Sequence, residues 1–144
     1  MLFLKFVHYL GMSLVLGPLV GAELLNRLAG RGSDSDSDRG GLDEAQVAMG
    51  RLANLGLVAV FLSGFGLAYV GGWYQSLGHQ PWLHIMITLA LLAGGFMGAS
   101  NGAARRMLRE KASSRDGLRK KISMLRLAGV LTSVGAIASG LWRV

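Results

Sequence analysis

Four apolar stretches, each near the ~20 residues that carry an α-helix through a bilayer, dominate this chain. They cover roughly residues 2–27, 47–73, 81–104 and 125–142. A hydrocarbon interior offers no water to unpaired backbone groups, so stretches of this length read as helices. The expected fold is an all-α membrane protein: an antiparallel four-helix transmembrane bundle in a single domain, residues 1–144. Composition agrees. Of the 144 residues 51 % are hydrophobic, and 22 are glycine, which suits helices that pack closely in lipid. The N-terminus begins as a signal peptide does. However, its apolar run is long, holds His8 and Pro18 and lacks a small-residue cleavage site, so it is expected to stay as the first helix. Pro18 removes one backbone hydrogen bond there and is expected to kink it.

The connections carry the charge. Residues 30–44 are polar, with the repeat Ser33-Asp34-Ser35-Asp36-Ser37-Asp38, and are expected to form a mobile loop. Their spacing is not that of an EF-hand calcium loop. Residues 105–121 are strongly basic, parts of them could extend helices 3 and 4 beyond the membrane, and Asp116-Gly117 marks a turn. The connection between helices 2 and 3 is short and makes those helices antiparallel neighbours. All basic residues except Lys5 and Arg143 fall in or beside the two long connections. The positive-inside rule then places both long connections in the cytoplasm and both termini on the outer, periplasmic side, as in a bacterial inner membrane. Trp73, Tyr74, Trp82 and Trp142 mark the outer boundary, where aromatic belts form. The net charge of +7 thus reflects orientation and lipid headgroups, and no nucleic acid is expected as a partner.

Lipid is as apolar as leucine, so helices must join through close backbone approach. Gly94, Gly98 and Gly102 form a ridge on helix 3, widened by Gly95 and Ala99. Gly17 and Gly21, Gly64 and Ala68, and Gly129 and Gly140 are small-residue positions on the other helices. Packing inside the bundle is the favoured use of these ridges, with a homodimer contact as the alternative. Glu23, near the inner end of helix 1, needs a partner at that depth. Arg27 and Arg51 are the candidates for an ion pair, and a proton relay is the other reading.

With no cysteine, disulfides, thiolate metal sites and cysteine nucleophiles are excluded. No metalloprotease, nucleophile-elbow or Walker motif occurs, and no catalytic residue is assigned. The chemistry-bearing residues of the spans are His8 and His84. His8 lies roughly 9 Å and His84 roughly 5 Å inside the outer ends of their helices, so the two share a level. Paired imidazoles in a bundle lined by small residues suit the axial ligands of a b-type haem. Met12, one turn from His8, is an alternative axial or copper ligand, and His79 an outer-loop metal ligand. The blander alternative is that His8 is a hydrogen-bonded bundle residue and His84 an interfacial one reaching the headgroups.

The segment Phe3-Leu4-Lys5-Phe6-Val7-His8-Tyr9-Leu10-Gly11 and the opening Pro81-Trp82-Leu83-His84 carry a resemblance. They resemble the superfamily of small four-helix membrane proteins that includes HemJ-type protoporphyrinogen oxidases and CopD-type copper-resistance proteins. The resemblance implies a haem b site with His8 as a ligand, and a membrane oxidoreductase role with a quinone, porphyrin or redox partner. HemJ-type enzymes carry a lysine two residues after the helix-3 histidine, where this chain has Met86. They also carry a Tyr-His pair further along, where this chain has Gly94-Gly95-Phe96-Met97-Gly98. A haem-binding relative is therefore implied more strongly than the oxidase itself. Copper or small-solute permeation, and a non-catalytic subunit or assembly factor of a larger membrane complex, are the alternatives.

Overall fold

The computed structural model describes residues 1–30, 36–73, 75, 81–109 and 115–141. They form four helices: α1 (Leu2–Gly30), α2 (Asp36–Val70), α3 (Pro81–Met107) and α4 (Arg115–Leu141). All four are long and apolar enough to cross a membrane, and the chain is an integral membrane protein of the four-helix-bundle class. α1 is unbroken across Pro18, whose ring is buried.

The helices pack as two hairpins, α1 on α2 and α3 on α4. Slimmer seams between α2 and α3 and between α1 and α4 close the ring, so α1 and α3 stand diagonally across the bundle. Only their longer side chains meet, where Val15 and Leu19 share a central cluster with Ala53 and Met97. A second cluster, of Val47, Ala103, Ala104, Met107 and Ile122, packs the end that carries the long connections.

The molecule is apolar outside and partly polar within. Phe6, Leu24, Leu55, Leu62, Leu91, Leu127 and Leu131 are exposed. Asn26, Gln46, Ser63, Ser100, Asn101 and Arg126 are buried. This is the distribution expected when the solvent is hydrocarbon, because polar groups then find partners only inside. Asn101 shows the principle at the α2–α3 seam: its side-chain amide donates to the Gly50 carbonyl at 3.0 Å and to Asn54 Oδ1 at 3.2 Å.

The helices outrun the apolar stretches. α2 begins at Asp36, not near residue 47. α4 begins at Arg115, so part of the basic connection does extend it, and Asp116-Gly117 lies in its first turn rather than in a loop turn. Hydropathy marks only the part of a helix that lies in lipid, whereas these extra turns are held by packing beyond it. Asp43 and Arg119, both inside the extensions, are buried against each other. The polar loop expected over residues 30–44 is therefore helical from Asp36, and residues 31–35 lie outside the described residues.

Gly64, Gly94 and Gly129 face neighbouring helices as expected, whereas Gly17, Gly98 and Gly102 do not. The backbones of α1 and α2 approach closely at Gly11 and Gly56. A Cβ at Gly56 would meet the Leu14 carbonyl carbon at 2.8 Å and the Gly11 oxygen at 2.9 Å. Of the α3 ridge only Gly94 faces a neighbour, Leu57, at 3.2 Å. Gly95, Gly98 and Gly102 are exposed with nothing within 4 Å, because Ala93, Met97, Ser100 and Ala104 occupy the inward face.

Candidate functional site

His8 belongs to the inward stripe of α1, which continues one turn apart through Gly11, Val15, Leu19 and Ala22. Its Nδ1 lies 3.1 Å from the Val60 carbonyl oxygen and 3.0 Å from Ser63 Oγ, both on α2. The Ser63 hydroxyl donates to the Ala59 carbonyl at 2.5 Å, so its oxygen is free to accept. Two acceptors around one ring nitrogen fix the tautomer: Nδ1 carries the hydrogen and Nε2 the lone pair. The ring fits because position 64 has no side chain; a Cβ on Gly64 would lie 3.3 Å from His8 Cε1. Tyr9 meets the imidazole edge-on, with ring centroids 6.5 Å apart.

A neutral imidazole held at Nδ1 by a backbone carbonyl, with Nε2 left as the electron-pair donor, is the arrangement of a metal-ligating histidine. It is equally the arrangement of a satisfied bundle histidine, and the difference lies in what meets Nε2.

His84 is placed differently. It is exposed, on the face of α3 that carries Thr88, Leu91, Gly95 and Gly98, while Leu83 beside it is buried. The two histidines are therefore not brought to one cavity of this chain, as a haem held by both would need. Met12 is half-buried, four residues after His8 on the same side of α1. Residues so spaced are neighbours on one face of a helix, so Met12 shares the side of α1 that carries His8. His79, Tyr74 and Trp142 lie outside the described residues. Trp73 and Trp82 pack edge-to-face at 5.8 Å where α2 ends and α3 begins. Among the described residues no group of three or more His, Cys, Asp or Glu is placed to hold a metal ion.

At the opposite end of the bundle, Glu23 takes Arg27 as its partner, with Nε 2.9 Å from Oε1, and also accepts from Ser123 Oγ at 2.5 Å. Arg27 is 63 % exposed, so its pairing is worth little. Replacing Arg27 with alanine is expected to change unfolding stability in detergent by less than about 1 kcal/mol; a loss of several kcal/mol would show that the pair is desolvated.

Arg126 has no counterpart among the expected site residues. It is 1 % exposed and reaches from α4 to α1, where Nη1 donates to the Ala22 carbonyl at 2.7 Å. In sequence it is one of the basic residues beside the second long connection. The signal was its seven-residue spacing from Arg119, which puts both on the buried stripe with Ile122, Gly129 and Ser133.

No protein-family model matches the chain, and no curated protein or solved structure matches it either.

Proposed function

We propose that the protein binds a b-type haem through His8 and serves a redox or porphyrin-linked role in the membrane, as a relative of the HemJ- and CopD-type proteins. The observation that carries this reading is the hydrogen bonding of Nδ1 to Val60 and Ser63, which leaves Nε2 as the ligating atom. The lysine-to-histidine opening of α1 adds the resemblance. His8 fits an axial ligand; His84, on the outer face of α3, does not fit as its partner within one chain. Haem, when bound, supplies one-electron chemistry. The chain's part is to hold the imidazole in one tautomer and orientation, with Gly64 leaving room for the ring.

Orientation follows the basic residues: long connections in the cytoplasm and termini outside, in a bacterial inner membrane. His8 then lies near the periplasmic face, where a quinone, a porphyrin or a redox partner would approach.

The test is a reduced-minus-oxidised visible spectrum of the protein purified in detergent from haem-replete cells. The expected result is a b-type spectrum that persists in His84→Ala and is lost in His8→Ala. A spectrum indifferent to His8 overturns the assignment.

A second reading, a subunit of a larger membrane complex, draws on the outward glycines of α3, where small residues let another helix approach. Mild-detergent purification tests it; a uniform single chain as the only species contradicts it.

A further inference from the structure

A cavity of about 250 Å³ opens at the α1–α4 seam. Val20, Leu24 and Leu127 wall it, and these side chains are 48 %, 57 % and 59 % exposed, so its mouth continues the lipid-facing surface. Glu23, Arg27 and Arg126 supply its polar lining.

Two of those side chains are incompletely partnered. Among the described residues, Arg126 Nε and Nη2 have no hydrogen-bond partner, and neither has Glu23 Oε2. The Glu23 charge acts on this guanidinium, but two of its N–H groups remain without an acceptor, which is costly in a buried site unless something meets them. Nε and Nη2 form one edge of the planar group, the edge that takes two oxygens of a phosphate or carboxylate side by side. Its other nitrogen, Nη1, is already used on the Ala22 carbonyl. Beside this donor pair stands a carboxylate oxygen that wants a hydrogen-bond donor. Together they match a group bearing a phosphate and, a short distance away, an ammonium.

Depth selects the source. Glu23 lies about 10 Å before the end of α1 and Arg126 about 16 Å after the start of α4, by helical rise. Lys120 and Lys121, further out on α4, stand at the end of the basic connection. The cavity therefore sits just inside the headgroup level of the leaflet that faces the basic connections. A molecule entering sideways there is a lipid of that leaflet.

We infer that this cavity seats the headgroup of an ethanolamine phospholipid. The phosphodiester takes the Nε–Nη2 edge of Arg126, the ammonium takes Glu23 Oε2, and an acyl chain runs along Val20, Leu24 and Leu127. A choline headgroup has no N–H for Glu23, and a glycerol headgroup has no positive charge for it. The fit asks for a small shift of the two side chains toward the mouth, since their free atoms are covered in the unliganded chain.

The full chain, delipidated in detergent, is titrated with phosphatidylethanolamine, phosphatidylglycerol and phosphatidylcholine of one acyl composition, and with inorganic phosphate. Bound lipid is counted by native mass spectrometry and thermal stability is followed in parallel. The expected result is at least about tenfold tighter binding of the ethanolamine lipid, seen as a rise in Tm that the other lipids and phosphate do not give. Glu23→Gln, at a partly exposed position, is expected to keep the fold and erase the preference among lipids. Arg126→Lys is expected to weaken all three lipids, because one ammonium cannot offer a fork. Equal binding of the three lipids, preference for another headgroup, a preference unchanged in Glu23→Gln, or an equal rise from phosphate alone overturns the inference.

Discussion

Replacing Asp43 with alanine is expected to destabilise the bundle by about 3–5 kcal/mol, the usual cost of removing one partner from a buried ion pair. Asp43 is 1 % exposed and receives Arg119 Nη2 on both oxygens, at 2.8 and 3.1 Å. Arg115 adds its charge at 3.9 Å. The same arginine ties the third helix of the junction. Its Nη1 donates to the Asn26 carbonyl at 3.3 Å, and the Asn26 amide returns a bond to the Arg119 carbonyl at 3.2 Å. One carboxylate thus anchors α2 to α4, and Arg119 carries the link on to α1. Without it a nearly buried guanidinium keeps a single weak acceptor. Urea or thermal unfolding in mild detergent reads the loss. The double variant Asp43→Ala with Arg119→Met is expected to lose less than the single one, because no charge is stranded. A loss below about 1 kcal/mol in Asp43→Ala would mean that water reaches the pair.

The second large effect is steric. Gly56→Ala is expected to cost about 1–3 kcal/mol, as overpacking of a tight contact does. The new methyl would lie 2.8 Å from the Leu14 carbonyl carbon and 2.9 Å from the Gly11 oxygen, and both are backbone atoms that cannot turn aside. α1 and α2 must separate. That separation reaches His8, which is docked on Val60 and Ser63 a turn or two further along α2. The variant is therefore expected to lose stability and, on the proposed function, haem together. Gly98→Ala, with nothing within 4 Å, is the control and is expected to leave both unchanged. Equal behaviour of the two variants would contradict the helix crossing.

The spans were legible because length and apolarity alone decide whether a segment can cross lipid. The four helices and their antiparallel order follow from that and from local spacing; Arg27 and Arg51 were both open as partners of Glu23, and the structure takes Arg27. Which face of each helix turns inward did not follow. In a membrane both faces are largely apolar, so periodicity is faint, and one residue is a rotation of about 100°. Leu83 is buried and His84 beside it exposed for that reason. Helical rise gives His8 and His84 one expected depth; it does not give the side on which either stands. The four-residue glycine spacing on α3 marked a smooth ridge without saying where it points. Asp43 and Arg119 are far apart in sequence, and each looked like an ordinary charge in a polar connection. Their burial depends on the third dimension.

His8 illustrates both halves. The sequence singled it out as an ionisable group inside a span. Only the packing of α1 on α2 reveals that Nδ1 is taken and which nitrogen is left. The functional account rests on that nitrogen.

The measurement that bears on it most directly is haem content per polypeptide, by the pyridine haemochromogen assay, for wild type and His8→Ala purified side by side from haem-replete cells. The account predicts b-type haem in the wild type, about one per chain where each His8 holds its own iron or one per two chains where two His8 imidazoles share it, and almost none in His8→Ala of unchanged helix content. A haem-free wild type, or a His8→Ala protein that keeps its full complement, would contradict it.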